Sequence, residues 1–114
     1  MSHYPDFWKI VVLKIKDRID HRVVGGWSGG YLTGDSWRIS SGITSIVSIG
    51  KFYEVHNTSG SVYYCRKDSE RLNAYTSSVV EGMKESYDIK FVSMEDTLLV
   101  VSNSTEDPGT DDSS

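Results

Sequence analysis

The chain has one cysteine, Cys65, no long apolar run and no surplus of positive charge. Each shortage removes a class of protein. A single thiol cannot close an internal disulfide, so a reducing compartment is expected. The longest apolar stretch, "IVVL" within "FWKIVVLKIK", falls far short of the roughly 20 residues needed to span a bilayer. No basic start, apolar stretch and small-residue cleavage site reads as a secretory leader. A cytoplasmic location without a membrane partner is therefore the expectation.

The formal charge of −4 is unevenly placed. The stretch "NSTEDPGTDDSS" holds Glu106, Asp107, Asp111 and Asp112 without a lysine or arginine, and residues 1–102 balance at 12 acidic and 12 basic. A neutral body argues against a duplex-DNA binder, whose phosphate contacts show as a basic surplus. The expected organisation is one globular domain over 1–102 followed by a disordered acidic tail over 103–114. With 38% hydrophobic and 25% charged residues, 114 positions suffice for one core.

"FWKIVVLKIK" is rich in β-branched and aromatic residues and predicts a strand over 7–16. Phe7, Val11, Leu13 and Ile15 take one face, and Trp8, Ile10 and Val12 the other, which implies cover on both sides. Five of the ten glycines follow within 25–34. Their spacing is neither "GxGxxG" nor "GxxxxGK[ST]", and a strand-like segment comes next, so a phosphate-cradling loop is not expected. A mobile loop or bulged edge fits better, with Trp27 and Tyr31 packed or exposed. An open edge there would also allow pairing with a second copy of the chain.

"SWRIS", "ITSIVSI", "FYEVH" and "SVYYCR" predict a strand series. "GK" at 50–51 suits a two-residue hairpin loop, and "TSG" at 58–60 a three-residue loop with Gly60 in the left-handed position. That register pairs Phe52 with Arg66, Tyr53 with Cys65, Glu54 with Tyr64, Val55 with Tyr63 and His56 with Val62. One face then shows Tyr53, Val55, Tyr63 and Cys65 beside Ile46, and the other Phe52, Glu54, His56, Val62, Tyr64 and Arg66. His56 and Cys65 fall on opposite faces, so they cannot form a catalytic couple, and Cys65 reads as a small buried hydrophobe.

Leu72, Tyr75, Val79, Val80, Met83 and Tyr87 recur at helical intervals, placing a helix over 77–87 after an approach loop, with "SVVE" as a capping box or Thr76 or Ser77 as the cap instead. "DIKFVSM" and "TLLVVS" predict two final strands. The fold class is α+β: a strongly curled antiparallel meander, or its variant a partly open barrel, with one short helix packed on it.

Complete chemical constellations are missing. His3, His21, His56 and Cys65 have no metal-ligand spacing, and His3 sits on an end expected to fray. No serine occupies a "GxSxG" elbow. No cofactor and no metal are expected. Glu54 and His56, two residues apart on one face, are the best acid–base pair, against the plainer interpretation of a solvated strand face. The mixed face of Phe52, Glu54, His56, Tyr64 and Arg66 suits a protein partner, since tyrosine and arginine are favoured anchors. It also suits single-stranded nucleic acid, which stacks on such platforms. A second layer, such as the strand at 7–16, could instead simply cover it.

Two segments, "SWRISSGITSI" and "SGSVYYC", resemble small uncharacterised accessory proteins of large tailed bacteriophages. Trp37, Ser41, Gly42 and Ile43 carry the first match, and Ser59, Gly60, Ser61, Val62, Tyr63 and Cys65 the second, within 37–83. The resemblance brings no catalytic residues. It implies a virus-encoded protein of the host cytoplasm that binds and inhibits or modulates a host protein. The expectation is a non-enzymatic binding protein using the mixed face, Trp27 and Tyr31. The alternatives are a single-stranded nucleic-acid-binding module and a small enzyme built on Glu54 and His56 or on Cys65.

Overall fold

The computed structural model describes residues 1–30, 34–101 and 103–105. The strands are β1 (Ser2–His3), β2 (Phe7–Ile15), β3 (Arg18–Gly30), β4 (Gly34–Ile39), β5 (Ile43–Ile49), β6 (Phe52–Asn57), β7 (Val62–Arg66), β8 (Asp88–Val92) and β9 (Asn103–Thr105). Two helices accompany them, α1 (Ala74–Met83) and α2 (Met94–Thr97). The strands form two sheets, ordered β1-β7-β6-β5-β9 and β4-β3-β2-β8. Pairing is antiparallel except at the two margins of the first sheet, where β1 joins β7 and β9 joins β5 in parallel.

The alternation of β2 explains the layering. Trp8 and Ile10 point toward the five-stranded sheet and join Val23, Ile46, Val55, Tyr63, Cys65 and Met94 in one core. Val11 and Leu13 point the other way and join Val24, Ile89 and Val80 of α1 in a second. The expected cover on both sides of this strand is thus met by a sheet on one face and a helix on the other. The Trp8 indole Nε1 donates to the Arg66 carbonyl at 2.7 Å, tying the two sheets together.

One curled meander or partly open barrel is not what forms: there are two separate sheets, and neither is closed. The chain switches sheets at Ser40–Gly42, between β4 and β5. Ser40 is buried there, its N–H donating to the Val23 carbonyl at 2.8 Å while its Oγ accepts from Val23 N–H at 2.9 Å. This double clamp fixes the corner.

Residues 25–30 of the glycine-rich segment belong to β3 and are not a free loop: Gly25 and Gly26 lie between β2 and β4, whereas Trp27 and Gly30 pair with β4 alone, with the expected bulge between them and Gly29 at φ 63°. Gly26 sits opposite Phe7, and any Cβ there would collide with the Phe7 ring. Tyr31 lies outside the described residues.

The hairpin of β6 and β7 has the predicted register, residue for residue. Gly50 (φ 56°) and Gly60 (φ 90°) take the left-handed conformations their loops require. The Gly60 N–H closes the second loop on the Asn57 carbonyl at 2.9 Å.

Three expected boundaries move. Helix α1 starts earlier than residue 77, because Asn73 rather than Ser78 is its cap, accepting the Thr76 N–H at 2.8 Å. "TLLVVS" forms no strand among its described residues: Ser93 accepts the Asp96 N–H, Glu70 accepts the Met94 N–H, and the chain turns into α2. Of the expected tail, Asn103–Thr105 pair as a strand with Ile46–Ser48, and residues 106–114 lie outside the described ones.

Candidate binding face and the adjoining cleft

Strand alternation sorts the β6–β7 hairpin sharply. Val55 and Cys65 are fully buried and Tyr63 is 1% exposed, all facing the four-stranded sheet. Phe52, Glu54, His56 and Tyr64 are half-buried on the opposite surface, and Arg66 is exposed. Strand β5 extends this outer surface with Ser45, Val47 and Ile49, paired with His56, Glu54 and Phe52. Strand β2 packs on the inner side, so it does not cover the mixed face.

One side chain does reach this face from outside. Tyr4 stacks on Tyr64, with centroids 4.8 Å apart and planes 9° from parallel. Pro5 favours extended backbone at Tyr4. The segment is pinned further by Val62 N–H to the Met1 carbonyl at 2.9 Å, Trp27 Nε1–H to the Tyr4 carbonyl at 3.0 Å and Ser28 N–H to Asp6 Oδ2 at 2.9 Å. The N-terminal segment is therefore built into the fold instead of frayed. Tyr4, Phe52, Tyr64, Arg66 and Arg71 line a shallow cleft of about 440 Å³.

The charges on the face are mostly paired. Glu54 Oε1 and His56 Nε2 meet at 2.9 Å, so the predicted acid–base pair does form. Among the described residues, no hydroxyl hydrogen-bonds to that imidazole. Burial, then the Glu54 charge, pushes the Tyr64 phenol up. Arg66 donates to both Asp68 oxygens, at 3.2 and 3.3 Å, and these bonds together with Ser69 hold the Asp68 carboxyl below its usual range.

Cys65 offers no alternative chemistry. Its sulfur is fully buried, and burial followed by the Glu70 charge pushes the thiol far above its ordinary value. The histidines do not converge either. His56 lies on the outer face and His21 in β3, while His3 packs against Tyr63, 4.6 Å between centroids, with Trp27 edge-on at 6.4 Å.

Trp27 is on the other sheet from Phe52, Glu54, His56, Tyr64 and Arg66 and borders a second cleft of about 440 Å³ with His3, Tyr4, Ser36 and Arg38. Tyr4 thus connects the two clefts. Sequence spacing missed His3 and Tyr4, because a two-residue parallel strand leaves no periodic signal, and Arg38, because its cleft neighbours are distant in the chain; the aromatic before Pro5 was the one hint of Tyr4. No family model, curated protein or solved structure significantly matches the chain.

Proposed function

We propose that the chain is a non-enzymatic binding protein that docks a protein partner on the outer face of its five-stranded sheet. The observation carrying this is the stacked Tyr4–Tyr64 pair, flanked by Phe52 and Arg66, with no described element lying over them. Aromatic and arginine anchors presented on a rigid sheet lose little entropy on binding, and they have the composition of interface hot spots. The resemblance to phage accessory proteins supplies the partner's source: a protein of the bacterial host, bound in its cytoplasm and inhibited or modulated there. The nucleic-acid alternative is less well supported on this face, because Asp68 neutralises Arg66 and Glu54 sits between the aromatics.

The test is a comparative pull-down from bacterial lysate, with the retained protein identified and its affinity measured on purified components. Wild type retains a partner that a Tyr64→Ala, Arg66→Ala chain of unchanged fold releases. Equal retention by both chains removes this face as the site. Binding of a single-stranded oligonucleotide that weakens steeply with salt would favour the alternative.

A further inference from the structure

Arg38 of β4 borders two clefts, and no acidic group pairs with it among the described residues. Alternation along β4 places Ser36 and Arg38 on the side facing the five-stranded sheet, where Trp27 is paired with Ser36. His3 and Tyr4 close the opposite wall. On its far side, the same His3–Arg38 pair borders a polar cleft of about 290 Å³ with Ser41, Ser59, Ser61 and Tyr63.

The serines there form a chain. Ser41 Oγ and Ser59 Oγ lie 3.0 Å apart and Ser59 Oγ and Ser61 Oγ 3.1 Å apart, and Ser61 Oγ also accepts from Asn57 Nδ2 at 3.2 Å. Three hydroxyls joined by two such links leave one hydroxyl hydrogen over among the described residues. An arginine without an acidic partner and a short chain of hydroxyls therefore border one polar cleft, and an aromatic wall stands next to it across Arg38. An unpaired arginine beside hydroxyl donors is suited to a phosphate. Tryptophan and tyrosine faces are suited to a planar ring. The aromatic cleft alone falls within the roughly 300–1,000 Å³ of small-molecule sites.

We propose that these joined clefts bind a nucleoside monophosphate, its base against Trp27 and Tyr4 and its phosphate between Arg38 and Ser61. The site shares Tyr4 with the outer-face docking surface, but its remaining side chains, Trp27, Arg38 and the serines, are not part of that surface. A cation is disfavoured by Arg38, and a purely apolar ligand would leave the guanidinium without a partner on the cleft wall.

The test is a two-dimensional NMR titration of the full chain with adenosine 5′-monophosphate, adenosine and inorganic phosphate as separate probes. The nucleotide is expected to shift the Trp27 indole and His3 imidazole signals saturably, with adenosine and phosphate each binding far more weakly. Arg38→Met, at an exposed position, should weaken nucleotide binding roughly ten- to hundred-fold with an otherwise unchanged spectrum. Arg38→Lys should recover part of it, and Arg66→Ala should bind as wild type does. Nucleotide that leaves Trp27 and His3 unmoved overturns the proposal. So does equal affinity of Arg38→Met and wild type, or loss of binding on Arg66→Ala, which would place the anion at the other arginine.

Discussion

Tyr63 and Tyr64 are neighbours in sequence and opposites in role. Tyr63 is 1% exposed, in one core cluster with Ile46, Val55, Cys65 and Trp8, with the His3 ring tilted 34° against it. Tyr64 lies on the outer face, stacked on Tyr4 and beside a cleft. The five-stranded sheet thus divides its labour by parity: one set of alternate residues holds the molecule together, and the other is left for contact. A shift of one residue in the hairpin would exchange the sets.

The contrast can be attacked first where it is strongest. Tyr63→Ala should cost about 3–5 kcal/mol, the range for emptying a large aromatic from a packed core, read by chemical denaturation. Ile46→Val, on the same inner face, should cost about 0.5–1.5 kcal/mol by the same measurement. A Tyr63→Ala chain as stable as wild type would mean that this face is not the core.

Acidification probes the boundary between the faces. Burial, then Arg38 and the chain's amino group, lower the pKa of His3 below 6.5. Burial lowers that of His21 too, partly offset by Asp20. The unfolded chain then binds more protons than the folded one between the lowered values and 6.5, so stability present above pH 6.5 is lost as pH falls through that window. His3→Gln should flatten part of the slope, as thermal midpoints measured across pH 5–7.5 would show. A midpoint that rises on acidification would contradict the burial of His3. Smallest of all, Arg66→Ala on the outer face should shift the midpoint less than any core change, since its ion pair is solvent-exposed.

The hairpin was legible from sequence because its information is local. Gly50 and Gly60 mark the loops, and alternation between them fixes which residues share a face. The double-sided burial of β2 was legible for the same reason: Trp8 and Ile10, and Val11 and Leu13, give it two apolar faces. What stayed hidden depends on partners distant in the chain. The switch between sheets is held by Ser40 against Val23, 17 positions away, and nothing in "RISSG" announces it. The β-branched "TLLVVS" favours strand, yet Glu70 caps the preceding Met94 N–H and turns the backbone into a helix, so a tertiary contact overrides propensity. Tyr4 reaches Tyr64 only through a parallel pairing across some 60 residues. Within the candidate site, Phe52, Glu54, His56, Tyr64 and Arg66 were legible as a face; the N-terminal side chains that complete it were not.

Thiol labelling of the native protein tests the sorting of the hairpin most directly. In a Cys65→Ala background, a cysteine is placed singly by Glu54→Cys or by Val55→Cys, and its reaction with a thiol reagent is timed. Position 54 should label rapidly in the folded protein, while position 55 should label only at the rate of unfolding. Equal rates at the two positions, or faster labelling at 55, would contradict the account.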